Sequence, residues 1–243
     1  FPMALTHGPL VHTPDHPDAT TKEEKHRAMV LYTDKLVGRL VDTLEDLQLR
    51  ENTYIFFTTD NGTSGGVRGR MDGREVRGGK AKLTENGPRQ PFIVNCPGRV
   101  PAGTTTETLT DFTDMLPTFA ELAGLKVPRE MQLDGYSIAR VLQGKRKDTA
   151  RTWMLAMGFG AASLDERGVR PRQDFTDRVI RDKQYKVFVI NAQITRLHDL
   201  KEDPVEAVNL VTSAEPEHQA ALQRFQGILE SFPETDARPR YDP

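Results

Sequence analysis

The sequence has almost no cysteine and lacks any long apolar segment. Cys96 is the single cysteine among 243 residues, which excludes an internal disulfide and a zinc site built from several cysteines. Apolar runs such as residues 54–57 and 92–94 are far shorter than the about 20 residues that a membrane-spanning helix needs. We therefore expect no membrane span.

An excess of charge of one sign is also missing. Lys and Arg together number 33, Asp and Glu together number 35, and the formal net charge is −2. Such a balance gives no general attraction to nucleic acid or to an anionic membrane. We therefore expect no nucleic-acid partner, and any role for charge must be local.

Hydrophobic periodicity predicts helices and short strands up to about residue 148. The clearest helix covers residues 21–49, where Thr21 and Glu24 form a capping box before apolar residues at helical spacing. A run of aromatic and β-branched residues at 53–59 predicts a strand covered on both faces. The other elements predicted in this part are a strand at 91–96 and helices at 111–123 and 137–143.

From about residue 149 the pattern changes to a period of two. A final helix, with Ser213 as its N-cap, presents an apolar face. We therefore predict an α/β protein in two parts: helices and strands over residues 1–148, and a small antiparallel sheet with one helix over 149–243. The strands of the second part are predicted at 153–157, 178–182, 186–190 and 195–200, with a tight turn at 183–184, and the apolar helix face comprises Ala221, Leu222, Phe225, Ile228, Leu229 and Phe232.

Asp60 and Asn61 directly follow the strand predicted at 53–59. Open α/β sheets place their ligand sites at the carboxyl ends of strands, and carboxylate and amide oxygens suit a hard cation such as Ca²⁺. Asp-Asn-Gly is also a favoured turn sequence. A purely structural role for the pair therefore stays open at this point.

A segment rich in Gly and Arg at 62–79 predicts a long loop, and its basic character continues to Lys82. Six basic residues between Val67 and Lys82 stand against two acidic ones, which gives a local charge of +4. Arg offers forked donors and Lys a compact charge to an anionic ligand, although a solvated loop is the alternative. The basic residues are Arg68, Arg70, Arg74, Arg77, Lys80 and Lys82.

A serine nucleophile elbow is a rival hypothesis. Residues 62–66 fit the pattern Gly-x-Ser-x-Gly around Ser64, and Asp134 with His198 or His218 would complete the order of residues found in α/β-hydrolases. Such an elbow turns directly from a strand into a helix, whereas a charged, Gly-rich segment follows here. This context disfavours a serine hydrolase.

An ordered set of motifs is similar to the C-terminal half of a sulfatase catalytic domain. The set extends over essentially residues 1–210, and its order makes it far more specific than any single motif. Thr84 and Asn86 depart from the pattern, because that family usually has an aromatic residue and a glycine there. The matching motifs include residues 6–9 (THGP), 54–62 (YIFFTTDNG), 77–80 (RGGK), 97–98 (PG), 121–124 (ELAG), 134–135 (DG) and 197–200 (LHDL).

The resemblance implies hydrolysis of sulfate esters by an alkaline-phosphatase-like α/β sandwich with a mixed sheet between helices. It implies that Asp60 and Asn61 bind Ca²⁺, that Lys80 is a catalytic and substrate-binding cation, and that His7 contacts the leaving-group oxygen. The implied substrate is a sulfated small molecule or saccharide, and the implied location is periplasmic or secreted. From the basic segment we add Arg68 and Arg70 as substrate-binding candidates.

The nucleophile of that family is a formylglycine made from Cys or Ser in a Cys/Ser-x-Pro-x-Arg motif, which is not found in this sequence. Cys96 does not fit the motif, because Pro97 follows it directly. We therefore expect the nucleophile and the remaining metal ligands in an N-terminal half of the same protein, and no activity from these residues alone. Two alternatives stay open: a phosphate or phosphonate ester hydrolase of the same superfold, and a noncatalytic polyanion-binding domain.

Overall fold

The computed structural model describes residues 1–71, 73–158, 160, 162–166 and 168–236. The chain forms two compact units. Unit 1 comprises Phe1–Lys80 and Asn86–Thr104, and unit 2 comprises Ala81–Glu85 and the chain from Thr105 onward. The domain boundary predicted between residues 148 and 149 stays a prediction.

Unit 1 contains the helix that the sequence indicates most clearly. Helix α1 spans Lys22–Asp46, and the predicted capping box is present: the Thr21 side chain accepts a hydrogen bond from the Glu24 backbone N–H, and the Glu24 carboxylate accepts one from Thr21 N at 2.9 Å. Hydrogen bonds from the backbone N–H groups of Thr21 and Thr20 lower the pKa of Glu24 to about 2. The predicted helix is confirmed, although it ends about a turn early, where Gln48 has a φ of 56°.

Four short strands follow α1 in unit 1. They are β1 (Ile55–Thr58), β2 (Arg68–Met71), β3 (Arg74–Arg77) and β4 (Phe92–Asn95). Strands β1 and β4 are those predicted, and they pair antiparallel with Phe57 opposite Ile93. All residues of β1 are only half-buried and Ile93 is 59% exposed, so within the described chain the strand is not covered on both faces.

Strands β2 and β3 form a hairpin in the segment predicted as a loop. Arg68 lies opposite Arg77, and Arg70 lies opposite Glu75. The loop prediction for residues 62–79 is therefore wrong in the middle of the segment. All residues of β2 are exposed, so the hairpin has none of the apolar alternation that identifies a half-buried strand in a sequence.

After the segment Ala81–Glu85, unit 2 continues with the predicted helical part. The segment predicted at 111–123 starts as a 3₁₀ turn at Phe112–Asp114 and continues as helix α2, Met115–Leu122. Pro117 lies in the first turn of α2, where a missing N–H costs nothing, and Gly124 follows the helix at a φ of 71°. A short helix α3, Ala139–Leu142, lies within the range predicted at 137–143. In the described parts of both units, no helix is long and apolar enough to cross a membrane.

The antiparallel sheet predicted in the second part is confirmed. Its strands lie in the order β10-β9-β8-β5, and the predicted tight turn connects β8 to β9. A hairpin of β6 and β7 was not predicted. The strands of unit 2 are β5 (Met154–Met157), β6 (Ala162–Asp165), β7 (Gly168–Pro171), β8 (Arg178–Arg181), β9 (Tyr185–Ile190) and β10 (Gln193–Asp199).

One face of this sheet packs against the last helix, α4 (Pro216–Glu230). The predicted apolar helix face is confirmed, since Ala221, Phe225 and Leu229 join the buried core. The predicted cap is wrong: the N-cap is Glu215, because Pro216 occupies the first helical position. The sheet residues of this core are Ile180, Tyr185, Val187, Val189 and Leu197.

The opposite face of the sheet carries a buried ionic cluster, formed by Glu85, Arg181, Lys186 and Glu206. Lys186 is fully buried, and its Nζ lies 2.8 Å from Glu206 Oε1 and 3.1 Å from Glu85 Oε1. Arg181 lies opposite Lys186 on the neighbouring strand and pairs with the other oxygen of Glu85. The backbone N–H of Glu85 donates to Glu206 Oε2 at 2.7 Å. Each carboxylate is therefore both charge-paired and hydrogen-bonded.

We expect Lys186→Met to destabilise the protein strongly. The substitution leaves two buried carboxylates without their shared cation, and breaking a buried pair in this way costs about 3–5 kcal/mol. The matched control is Lys35→Met, because Lys35 pairs with Asp15 at 2.8 Å while 52% of its side chain stays exposed, and such pairs contribute about 1 kcal/mol or less. Urea unfolding of both variants tests this, and equal losses would show that the buried cluster contributes no more than a surface pair.

Candidate functional site

The candidate metal pair lies where β1 ends. Asp60 is exposed and Asn61 is half-buried, and the Thr59 hydroxyl donates to the Asn61 backbone carbonyl at 3.1 Å. Within the described residues the Asp60 carboxylate has no hydrogen-bond or ion-pair partner. Its oxygens are therefore available to a ligand.

Two glycines let the backbone after this pair approach other loops unusually closely. A Cβ on Gly62 would lie 1.9 Å from the Asn86 carbonyl oxygen, and a Cβ on Gly78 would lie 2.0 Å from the Ser64 carbonyl oxygen. No real Cβ tolerates such distances, so both positions require glycine. The Gly62 N–H donates to the Gly87 carbonyl at 2.7 Å, which fixes the loop that follows Asp60 and Asn61.

The same contacts bring Lys80 close in space to the end of β1. The Lys80 backbone N–H donates to the Thr63 carbonyl at 3.0 Å, and the Gly78 N–H donates to Val67 at 3.0 Å. The Lys80 residue is half-buried, and its ammonium group has no acidic partner in the described part of the chain. The structure thus places the backbone of Lys80 beside Thr63, two residues after Asn61, although Lys80 lies about twenty residues from Asp60 in the sequence.

Arg68 and Arg70 lie on the exposed β2 strand of the hairpin. Arg68 Nη1 pairs with Glu75 Oε1 at 3.0 Å while more than 60% of each side chain is exposed. Arg70 has no partner within the described ranges, and Arg77 Nε donates to the Gly65 carbonyl at 2.7 Å. The hairpin is thus a basic, solvated surface, and substrate binding by Arg68 and Arg70 stays a prediction.

His7 makes only local hydrogen bonds with described residues. Its Nδ1 donates to the neighbouring Gly8 carbonyl at 2.7 Å, and its backbone N–H donates to Ala4 at 3.0 Å. The ring is exposed. Because Nδ1 carries the donated hydrogen, Nε2 is the atom that can face a ligand.

Asp60 and Asn61 have the donor chemistry of part of a hard-cation site. Ca²⁺ takes about 6–8 oxygen ligands, and this pair supplies two side chains at an exposed strand end. In the described ranges there is no group of three or more His, Cys, Asp or Glu that could hold a metal. A cation bound here would therefore need donors beyond the carboxylates of these residues.

The structural context does not fit the serine elbow. The Ser64 carbonyl accepts from Val67 N at 3.0 Å in a turn, and the strand β2 follows instead of a helix. His218 Nδ1 lies 2.8 Å from the Ser213 hydroxyl. His198 is 2% exposed, and burial lowers the pKa of its ring.

Two family models match the chain. The model described as Sulfatase matches residues 5–125, and the model described as N-sulphoglucosamine sulphohydrolase, C-terminal, matches residues 79–232. The chain belongs to the sulfatase family. Together the two matches extend over most of this sulfatase-family chain and include every candidate residue of the site.

Individual relatives agree with this assignment. The N-acetylgalactosamine-6-sulfatase of the dog, Canis lupus familiaris, is 34% identical over 128 residues, which are 51% of this chain and 24% of the relative. The solved structure of BT4656 with its substrate D-glucosamine-2-N,6-O-disulfate is 25% identical, with a TM-score of 0.64 over 88% of this chain and 42% of that one. Ps i-CgsB in complex with k-i-k-neocarrahexaose is 25% identical, with a TM-score of 0.68 over 93% and 48%. The chain thus spans less than half the length of each.

The fold class predicted from the sequence, an alkaline-phosphatase-like α/β protein, is confirmed by these structures. Sequence reasoning missed the buried ionic cluster. A signal was present, because Lys186 interrupts the otherwise apolar run of β9, and a lysine in such a run requires a buried partner. It also missed the buried pair of Arg151 with Asp114, whose side chains are 2.6 Å apart.

We expect Gly62→Ala to destabilise the sulfatase-family chain and to displace the loop that carries Asp60 and Asn61. The added methyl group meets the Asn86 backbone, which cannot move like a side-chain end, and overpacking of this kind typically costs about 1–3 kcal/mol. Gly69→Ala is the matched control, because a Cβ there meets no atom within 4 Å. Thermal unfolding and backbone amide NMR shifts of both variants test this, and unchanged shifts around Asp60 in Gly62→Ala would contradict it.

Proposed function

We propose that the protein containing this chain hydrolyses sulfate esters, and that the end of β1 and Lys80 form part of its active site. The observation that carries the proposal is the glycine-dependent loop contact, which holds Asp60 and Asn61 near Lys80. Membership of the sulfatase family supports the reaction type. The relatives named above support a sulfated saccharide as the substrate, because two solved neighbours are complexes with D-glucosamine-2-N,6-O-disulfate and with k-i-k-neocarrahexaose.

Each candidate residue of this chain would have a separate role in the reaction. Asp60 and Asn61 would hold Ca²⁺, which when bound stabilises negative charge on the sulfuryl oxygens. The Lys80 ammonium, half-buried and without an acidic partner among described residues, would hold the sulfate by charge. His7, whose Nδ1–H is hydrogen-bonded to the Gly8 carbonyl, would donate the proton that the departing alkoxide needs from Nε2 when the ring is protonated on both nitrogens.

We propose that the formylglycine nucleophile lies in an N-terminal half of the same protein. The 243 residues contain no Cys/Ser-x-Pro-x-Arg motif, and unit 1 exposes large apolar side chains that a second part of a catalytic domain would cover. Val30, Leu31, Leu40 and Ile93 are between 38% and 59% exposed. A periplasmic or secreted location is part of the same proposal and rests on the family alone.

Substitution of Asp60 tests the metal role. In the protein that joins this chain to its nucleophile, we expect Asp60→Ala to lose most of its bound Ca²⁺ and its Ca²⁺-dependent activity, because one substitution removes both a donor and a charge. Asp42→Ala is the control, since Asp42 is an exposed carboxylate on α1. Metal content and turnover are measured together, and a wild-type value of both in Asp60→Ala would refute the assignment.

Substitution of His7 and Lys80 separates their two roles. His7→Ala should slow aryl sulfates with basic leaving groups far more than activated ones, because a stable phenolate leaves without a proton; loss of such a donor typically costs about 10²–10⁴-fold. Lys80→Ala should slow all substrates similarly, because the sulfuryl group is common to them. The measurement is the dependence of rate on the pKa of the leaving phenol.

The slopes decide the outcome. If His7→Ala and the wild-type protein depend equally on the phenol pKa, His7 is not the acid. If Lys80→Ala shows the steeper slope instead, the two roles are assigned the wrong way round.

A further inference from the structure

Unit 2 contains a cavity of about 370 Å³ on the face of its sheet that carries the ionic cluster. Its floor is formed by Phe188 and Arg196, which lie opposite each other on β9 and β10. One wall is the segment 81–84, and Asp177 contributes to the other side. Cavities that hold small ligands typically have volumes of about 300–1,000 Å³, so the space suffices for one sugar unit or its substituent.

Arg196 stacks on an aromatic ring, and its N–H donors have no partner among the described residues. Its guanidinium carbon lies 3.7 Å from the centroid of the Phe188 ring, a stacked arrangement that fixes the side chain. The residue is half-buried, and no hydrogen bond or ion pair joins its guanidinium to a described residue. Stacking occupies the flat face of the group, so its N–H edges remain available to a forked acceptor such as a sulfate or carboxylate.

The charge of the cavity favours an anion. Lys82 also lines it, so two cations stand against the single carboxylate of Asp177. That carboxylate already accepts a hydrogen bond from the Asn191 backbone N–H at 3.2 Å, and it does not pair with Arg196 or Lys82. The lining is therefore net positive.

The room in the cavity depends on a small side chain. Thr84 lines the wall at the position where the sequence departs from the aromatic residue expected of a sulfatase. A bulky ring at this lining position would reduce the volume of the cavity that Arg196 also lines. The departure thus coincides with a guanidinium that has no ion-pair partner among the described residues.

We propose that this cavity binds an anionic substituent of a saccharide, a sulfate or carboxylate, and that Arg196 determines this specificity. The inference rests on the proposed function for the identity of the saccharide. The binding site itself rests on the stacked Arg196, the cation Lys82 and the size of the cavity.

The first experiment measures binding and needs no turnover. The 243-residue chain is titrated calorimetrically with D-glucosamine-2-N,6-O-disulfate, with unsulfated D-glucosamine as the control ligand. Arg196→Gln should weaken binding about tenfold or more, since charge-assisted hydrogen bonds of this kind contribute about 1.5–3 kcal/mol. Arg196→Lys should bind with intermediate affinity, because it keeps the charge and loses the fork.

Two further variants make the result specific. Thr84→Trp should abolish binding by filling the cavity, while Arg129→Gln, which removes an exposed arginine elsewhere in unit 2, should bind like the wild type. Thermal unfolding shows that each variant is folded. Wild-type affinity in both Arg196→Gln and Thr84→Trp, or no binding of the disulfated sugar by the wild-type chain, would overturn the cavity assignment.

The second experiment tests the proposed function separately, in the protein that also carries the nucleophile. If that protein hydrolyses no sulfate ester at all, the proposed function fails while the titration still decides whether the cavity binds the anion.

Discussion

The fully buried Lys186 and its two carboxylates are the interaction on which the polar face of unit 2 depends. An isolated buried lysine is prohibitively costly, so the β9 strand can include Lys186 only because Glu206 and Glu85 approach it to within 2.8 and 3.1 Å. Glu85 ends the segment 81–85, so its ionic bonds hold that segment on the sheet. The wall of the cavity, with Lys82 and Thr84, follows from this attachment.

In unit 1, close approaches between backbone segments depend on glycine. The candidate residues Asp60, Asn61 and Lys80 sit on loops, where the chain must approach itself at distances that a Cβ forbids. The cost of glycine is the larger backbone entropy lost on folding. Hydrogen bonds such as that from Gly62 to Gly87 offset part of this loss.

The sequence predicts secondary structure well where the pattern lies in neighbouring residues. The capping box of Thr21 and Glu24 and the tight turn between β8 and β9 are both predicted from neighbouring residues, and the structure contains each of them. The β2–β3 hairpin was missed because its exposed strand has no apolar alternation. The lysine in the apolar run of β9 signals a buried partner, but the partners themselves, Glu85 and Glu206, could not be named, since they are far from Lys186 in sequence and their approach depends on tertiary packing. Residue chemistry indicated the candidate metal pair and the basic segment with Lys80 separately, and only the resemblance to the family assigned them to one site, because spacing alone does not place them together.

The basic side chains differ in their burial and in whether a carboxylate neutralises their charge. Lys186, Arg181 and Arg151 are deeply or largely buried and paired with carboxylates at short distances, so their charge is already neutralised by the protein. Lys80 and Arg196 are half-buried and have no acidic partner within the described residues. Partial burial weakens solvation, and the missing partner leaves the charge uncompensated. An anionic ligand would supply that partner, and for this reason we propose anion-binding roles for Lys80 and Arg196.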